Sequence, residues 1–185
     1  HKEYRRQRQM CIRDRSSVAA LAILSASPAS AGNFKTAPGN YTAQGPLLLY
    51  QTIDGVVCNV TAKIRVDSNG DAFITSLVFG PGDHPLCGSL IRPLAPPPPD
   101  VPISHGPFTP GSDEVDISFP VNIQAGAGTC AGTLGATLTL YWGAKGPNRI
   151  GTNPVATVTG TPLPCTVTGD LTITPDAPTT GELRL

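Results

Sequence analysis

One stretch of the chain, VVCNVTAKIRV at positions 56–66, alternates apolar and polar residues at almost every step. Because side chains of a β-strand point alternately to opposite faces, this pattern predicts a strand with one buried face and one face in water. The turn-forming residues DSNGD follow at 67–71, and AFITSLVF at 72–79 can return alongside the first strand. The stretch therefore predicts a β-hairpin. The predicted buried set is Val56, Cys58, Val60, Ala62, Ile64 and Val66.

Similar alternation recurs in the second half of the chain. It is clear in TLGATLTLYW at 133–142 and in CTVTGDLTIT at 165–174. Shorter candidates are PLLLYQT at 46–52, VDISF at 115–119 and VATVTG at 155–160. With 20 Gly and 20 Pro, the two residues least suited to a helix interior, the chain needs no helix. We expect an all-β fold, an antiparallel β-sandwich of about seven to nine strands.

A proline-rich segment separates the two halves. The residues RPLAPPPPDVPISHGPFTPGSDE begin at 92, and prolines cannot donate hydrogen bonds to a sheet interior. We therefore expect an extended crossover at about 92–112, passing over one end of a single domain that covers 32–185.

The first thirty-one residues differ from the rest. HKEYRRQRQMCIRDR at 1–15 ends in QMCIRDR, which resembles sequencing adapter read as coding sequence, so we interpret this segment as a translation artefact. The apolar run VAALAIL and the small residues after it, in 16–31, have the pattern of a secretory signal peptide. We expect cleavage between Ala31 and Gly32, no membrane span, and a secreted or extracellular protein, with the periplasm or cell surface as alternatives.

Removing residues 1–31 leaves 7 basic and 11 acidic residues, a formal net charge of −4. The basic residues of the leader would then be absent from the folded surface. Nothing in the remainder indicates binding to nucleic acid or to anionic lipid.

Four cysteines remain after the leader: Cys58, Cys87, Cys130 and Cys165. An even number in an exported chain favours two disulfides over a zinc site, because no two of these cysteines have short metal-ligand spacing. Four cysteines allow three pairings, and the sequence does not choose among them. We favour Cys58–Cys87 with Cys130–Cys165, since each pair then lies within one half of the chain.

No pattern typical of an active site is evident. The chain has no nucleophile elbow, zinc-protease motif, phosphate-binding glycine loop or C-x-x-C pair, so we expect no catalytic, metal-binding or cofactor-binding residues. His84 beside Asp83 is read as a loop histidine, and Asp113, Glu114 and Asp116 as a solvated strand entrance. Asp67, Asn69 and Asp71 lack the later Glu of a calcium loop and are read as a turn.

Three segments carry a family resemblance: GNFKTAPGNYTAQGP from 32, VVCNVTAKIRVDSNGDAFITSL from 56 and PCTVTGDLTIT from 164. They resemble the PraB family of bacterial activators of alkane oxidation, over Phe34 to about Thr174. The proline-rich crossover departs from that family.

The resemblance implies a secreted, non-catalytic accessory protein that promotes use of long-chain alkanes. Its partners would be alkanes or cell-surface components, and a low-charge β domain could act at an oil–water boundary. The alternative is a structural subunit of an extracellular fibre, adhesin or biofilm matrix, self-associating through a donated N-terminal strand. A small extracellular hydrolase is a third hypothesis, without a residue constellation to support it.

Overall fold

The computed structural model describes residues 34–35, 38–51, 55–94, 100–107, 112–141, 146–152 and 154–184. The expected artefact at 1–15, the signal-peptide remnant at 16–31 and the cleavage site between Ala31 and Gly32 lie outside these residues. They remain predictions.

The described residues form eleven β-strands and one single-turn helix. The strands are β1 (Gly39–Tyr50), β2 (Val56–Val66), β3 (Ala72–Gly80), β4 (Ile91–Pro93), β5 (Val101–His105), β6 (Glu114–Ala125), β7 (Gly128–Thr139), β8 (Arg149–Gly151), β9 (Ala156–Val158), β10 (Gly160–Thr161) and β11 (Cys165–Pro175). The helix, α1 (Cys87–Leu90), leads directly into β4.

Eight of these strands close into a barrel in the order β7-β8-β11-β1-β2-β3-β5-β6, with β6 paired back to β7. Every pairing is antiparallel. The all-β prediction is confirmed, but the predicted sandwich is wrong. Inward and outward residues alternate in the same way in both architectures, so the alternation could not separate them.

The hairpin of β2 and β3 forms as predicted, and the buried face of β2 carries Cys58, Val60, Ala62, Ile64 and Val66. Val56, at the start of β2, was also predicted to be buried but is only half-buried. In the turn between them the carboxylate of Asp67 accepts hydrogen bonds from the backbone N–H groups of Asn69 (2.8 Å) and Asp71 (3.0 Å). Gly70 adopts a positive φ of 84°, which glycine does without steric cost. These residues form a turn, as the sequence indicates.

The proline-rich segment differs from its predicted role. Within 92–112, the residues Val101–His105 form β5, which pairs with β3 on one side and β6 on the other. Part of the expected crossover is therefore a strand of the barrel wall. Its Pro102 lies opposite Phe73 in the β3 pairing.

The two chain ends of the described domain cover one end of the barrel. Phe34 and Leu183 are both buried, and the N–H of Lys35 donates to the carbonyl of Arg184. The buried side chain of Asn148 accepts a hydrogen bond from the N–H of Tyr141 and donates one to the carbonyl of Leu183. We call this the covered end.

Both disulfides lie toward the opposite end, which we call the disulfide end. It is formed by the C-terminal parts of β1, β3 and β6 and the N-terminal parts of β2, β7 and β11. Cys58 is bonded to Cys87, which joins β2 to α1, and Cys130 is bonded to Cys165, which joins β7 to β11. Of the three pairings that the sequence left open, this is the one that we favoured.

Replacing Cys130 and Cys165 together by alanine is expected to lower the free energy of unfolding by about 3–4 kcal/mol, because the bond closes a loop with a sequence separation of 35. Urea denaturation followed by circular dichroism measures the change. An unchanged unfolding midpoint would contradict a stabilising role for this bond.

A charged cluster ties β1 and β2 to the residue that directly follows β11, near the covered end. The hydroxyl of Thr42 on β1 donates to Asp176, and Lys63 on β2 donates to both Thr42 (2.6 Å) and Asp176 (2.9 Å). The hydrogen bonds from Thr42 and then Lys63 hold the pKa of the Asp176 carboxyl below its ordinary value of 3.8. A carboxyl whose pKa is lower in the folded state stabilises the fold above its unfolded pKa, and this stabilisation is lost on acidification.

Asp176→Asn is therefore expected to flatten the fall in stability below about pH 4, where the wild-type carboxylate becomes protonated. Thr42→Val should flatten it in part, while Thr157→Val, which alters an exposed threonine on β9, should leave it unchanged. Denaturant unfolding at a series of pH values tests this. If the unfolding free energies of wild type and Asp176→Asn fell equally below pH 4, the cluster would not contribute to the pH dependence of stability.

Candidate functional site: an apolar cavity at the disulfide end

The two ends of the barrel differ in charge. No Asp, Glu, Lys or Arg occurs between positions 119 and 136 or between 155 and 169, the segments that build much of the disulfide end. The ion pairs Lys63–Asp176 (2.9 Å) and Arg65–Asp100 (2.7 Å) involve the far part of β2 instead. The disulfide end is therefore suited to apolar contacts.

Large apolar side chains remain in solvent around this end. Tyr50 at the end of β1 is 50% exposed, Leu86 before α1 is 56% exposed and Leu163 before β11 is 51% exposed. Val78, on the outer face of β3, is 55% exposed. Scattered apolar residues are normal on a surface, but a group around one opening is a feature of interaction sites. We call these four residues the apolar rim.

The interior of the barrel contains a cavity of about 90 Å³. An eight-stranded barrel is wide enough either to be filled by its side chains or to hold one small ligand. Here the inward residues leave part of the space empty, and apolar cavities of this kind stay dry and accept apolar guests. Its buried wall includes Val60, Ala62, Ile64, Leu134, Ile150 and Leu171.

The cavity reaches the surface at the disulfide end. Its partly or fully exposed lining includes Tyr50 and Leu90 at this end, and Leu77, Phe119 and Val121 in the adjoining parts of β3 and β6. Ile64 and Leu171, in contrast, lie deeper in the barrel and are buried. A chain-like apolar molecule could therefore enter past the rim and extend into the barrel.

One buried polar side chain, that of Gln51, lines this cavity. It is 7% exposed, and its Nε2 donates to the carbonyls of Thr129 (3.2 Å), Thr161 (3.1 Å) and Leu163 (3.1 Å). Its Oε1 is buried and accepts no hydrogen bond from the part of the chain that the structure describes. Buried polar atoms are nearly always paired, so this one requires an explanation.

Gly128 makes room for the Gln51 amide. A Cβ atom at position 128 would lie 2.4 Å from Oε1 and 2.6 Å from Nε2 of Gln51. Such contacts are far shorter than van der Waals distances. The absence of a side chain at this position is therefore needed for the observed amide position.

Sequence reasoning missed both the cavity and Gln51. The stretch PLLLYQT was read as a short strand, and its pattern contained a signal. Leu47 and Leu49 lie on the inward face of β1, and Gln51, the residue after its end, continues the alternation. A polar residue that continues a buried apolar face marks an unusual interior position. The empty volume inside the barrel, in contrast, leaves no pattern in the sequence of any one strand.

The residues singled out in the sequence have structural surroundings. His84 accepts a hydrogen bond at Nδ1 from the N–H of Leu86, within the loop before α1. Asp113, Glu114 and Asp116 lie at the start of β6, toward the covered end and away from the mouth of the cavity. In the described parts of the chain, no group of three or more His, Cys, Asp and Glu is placed to hold a metal ion.

A family model described as "Alkane oxidation protein activator PraA/PraB-like" matches residues 8–180. The chain belongs to this family. The resemblance found in the sequence is thereby confirmed, and a role as an activator of alkane oxidation follows from the family. The family is named for activation rather than for a reaction of its own.

Searches of curated proteins and of solved structures gave no match. Among the described residues, no helix has the length and apolar character needed to cross a membrane. The two disulfides are consistent with an oxidising environment, as in the periplasm or outside the cell.

We expect that the cavity takes up a small alkane such as hexane, and that filling it weakens this binding. Ala62→Leu adds bulk to the cavity wall, and we expect it to weaken hexane binding at least tenfold. The matched control is Ala131→Leu, the same change at an exposed position of β7, which should bind hexane like the wild type. Headspace gas chromatography over protein solutions measures the bound fraction. Equal binding by both variants would place hexane outside the cavity.

Proposed function

We propose that this protein is an exported, non-catalytic accessory of alkane oxidation that binds an alkyl chain in its barrel cavity. The observation that carries the proposal is an apolar cavity toward a barrel end whose segments 119–136 and 155–169 contain no charged residue. Ligand sites are typically concave and apolar, with a few polar groups that orient the ligand. Membership of the alkane oxidation activator family supports hydrocarbon as the ligand class.

Export is supported by two independent features. The leader has the pattern of a signal peptide, and the four remaining cysteines all form disulfides. Alkanes reach a cell from outside, so an exported protein would meet them before a cellular oxidation system does.

A non-catalytic role is supported by the chemistry of the lining. The described lining residues include no Asp, Glu, His, Lys or Ser, the side chains that commonly act as acid, base or nucleophile. Gln51, Tyr50 and Thr166 supply its polar side-chain groups. Such a lining is suited to holding a molecule rather than to transforming it.

The apolar rim supports action at an oil–water boundary. Its four exposed side chains belong to segments that build the disulfide end, and Tyr50 also lines the cavity. Burial of apolar surface is favourable by about 25 cal/mol per Å². Adsorption through the rim would bring the cavity to the hydrocarbon.

The pairing of β1 counts against the alternative that the protein is a fibre subunit that donates its N-terminal strand. Of the N-terminal segment expected to be donated to a neighbour, the residues Gly39–Tyr50 form β1, which pairs along its length with β2 and β11 of the same chain. A strand paired on both sides offers no edge to another molecule.

Purified protein covering residues 32–185 is expected to lower hexadecane–water interfacial tension in proportion to its concentration. Leu163→Ser, which removes a rim side chain, should lower the tension less than the wild type does. Val155→Ser replaces an apolar residue that is 55% exposed outside the rim, and should act like the wild type. Pendant-drop tensiometry makes the comparison. Unchanged tension with the wild type would overturn action at the interface.

A further inference from the structure

Oε1 of Gln51 is a buried acceptor without a hydrogen-bond partner among the described residues, and this indicates the end group of the ligand. We propose that the cavity binds alkyl chains that end in a hydrogen-bond donor, above all primary alcohols, with the hydroxyl donating to Oε1 of Gln51. The inference rests on the proposed function, since it assumes that the cavity takes up an alkyl chain. It adds the chemical end group and the orientation of that chain.

The orientation of the amide is fixed by its surroundings. Nε2 faces three backbone carbonyls, those of Thr129, Thr161 and Leu163, at 3.1–3.2 Å. A flipped amide would place an acceptor oxygen against three other acceptors, which is unfavourable. Oε1 is therefore held as an acceptor in a buried position, with Gly128 behind it.

The position of Gln51 sets the direction of the bound chain. Its partners Thr129, Thr161 and Leu163 lie beside the Cys130–Cys165 bond at the disulfide end. The buried wall that includes Ile64 and Leu171 lies farther along the barrel. A bound alcohol would thus place its hydroxyl near the mouth and its alkyl chain toward the interior.

Other end groups fit this site less well. An alkane leaves Oε1 unpaired, and an ionised carboxylate is an acceptor that would repel it. An ammonium group donates, but the described lining includes no Asp or Glu to balance a buried charge. A primary alcohol is an alkane oxidised once at its terminal carbon. The site would therefore prefer the first oxidation product over the hydrocarbon itself.

The test compares two isomers with the same atoms. 1-Octanol has a hydroxyl donor, whereas heptyl methyl ether has the same formula and only an acceptor. For the wild-type protein, isothermal titration calorimetry should show 1-octanol binding about tenfold more tightly, which is 1.4 kcal/mol. Octanoate at pH 7 should bind more weakly than 1-octanol.

Variants identify the group that discriminates. Gln51→Met removes the acceptor at similar side-chain size and should bring the two affinities to within twofold of each other. Thr166→Val is the matched control, because it removes another polar group of the lining and should keep the tenfold preference. The ratio of affinities within one variant is insensitive to a general loss of stability. If Gln51→Met does not fold, the wild-type comparison of the isomers decides alone.

The outcomes separate the two proposals. Equal affinity of the wild type for 1-octanol and the ether would overturn the inference about the end group and leave alkyl-chain binding in place. A tenfold preference that persists in Gln51→Met would also overturn it. Binding of neither isomer would overturn the proposed function itself.

Discussion

The short strand β8 pairs on both sides, with Thr137–Thr139 of β7 and with Asp170–Thr172 of β11, and so joins the two ends of the strand row into a ring. Closure gives all inward side chains a common interior with no open face. Ile150, the central residue of β8, lies opposite both Leu138 and Leu171 and lines the cavity. The apolar cavity and the absence of an edge on β1 both follow from this ring.

The sequence was informative wherever structure depends on neighbouring residues. The alternation of 56–66 and the turn at 67–71 specify the β2–β3 hairpin, because strand faces and turn chemistry are local properties. Ring closure depends instead on three segments that are distant in sequence, near residues 138, 150 and 171. A strand of three residues has too little pattern to detect, so the closed barrel could not be told from a sandwich. Likewise β5 was hidden by the prolines around it.

The candidate site was less predictable than the fold. The cysteines could be recognised, since their number and the leader indicate disulfides, although three pairings remained open. The cavity is a difference between the space enclosed by the strands and the volume of the side chains within it, and no single residue reports that difference. Gln51 could have been noticed as a polar residue that continues the inward alternation of β1 just beyond its end. Its unpaired oxygen could not, because the three carbonyls that occupy its nitrogen come from β7, β10 and the loop before β11.

The junction between β7 and β11, which β8 bridges, is expected to affect how the barrel opens. Toward the covered end it is held by the three residue pairs that β8 makes with each neighbour, whereas β6 and β7 share twelve. Toward the disulfide end, β9 pairs with β11 and β10 pairs with β7, and the covalent Cys130–Cys165 bond crosses the same junction. Local opening begins where few backbone hydrogen bonds must break, so we expect the wall to open first beside β8, while β9, β10 and the disulfide keep the other end of the junction attached. The junction is therefore held by a covalent bond toward the disulfide end and only by a three-residue strand toward the covered end.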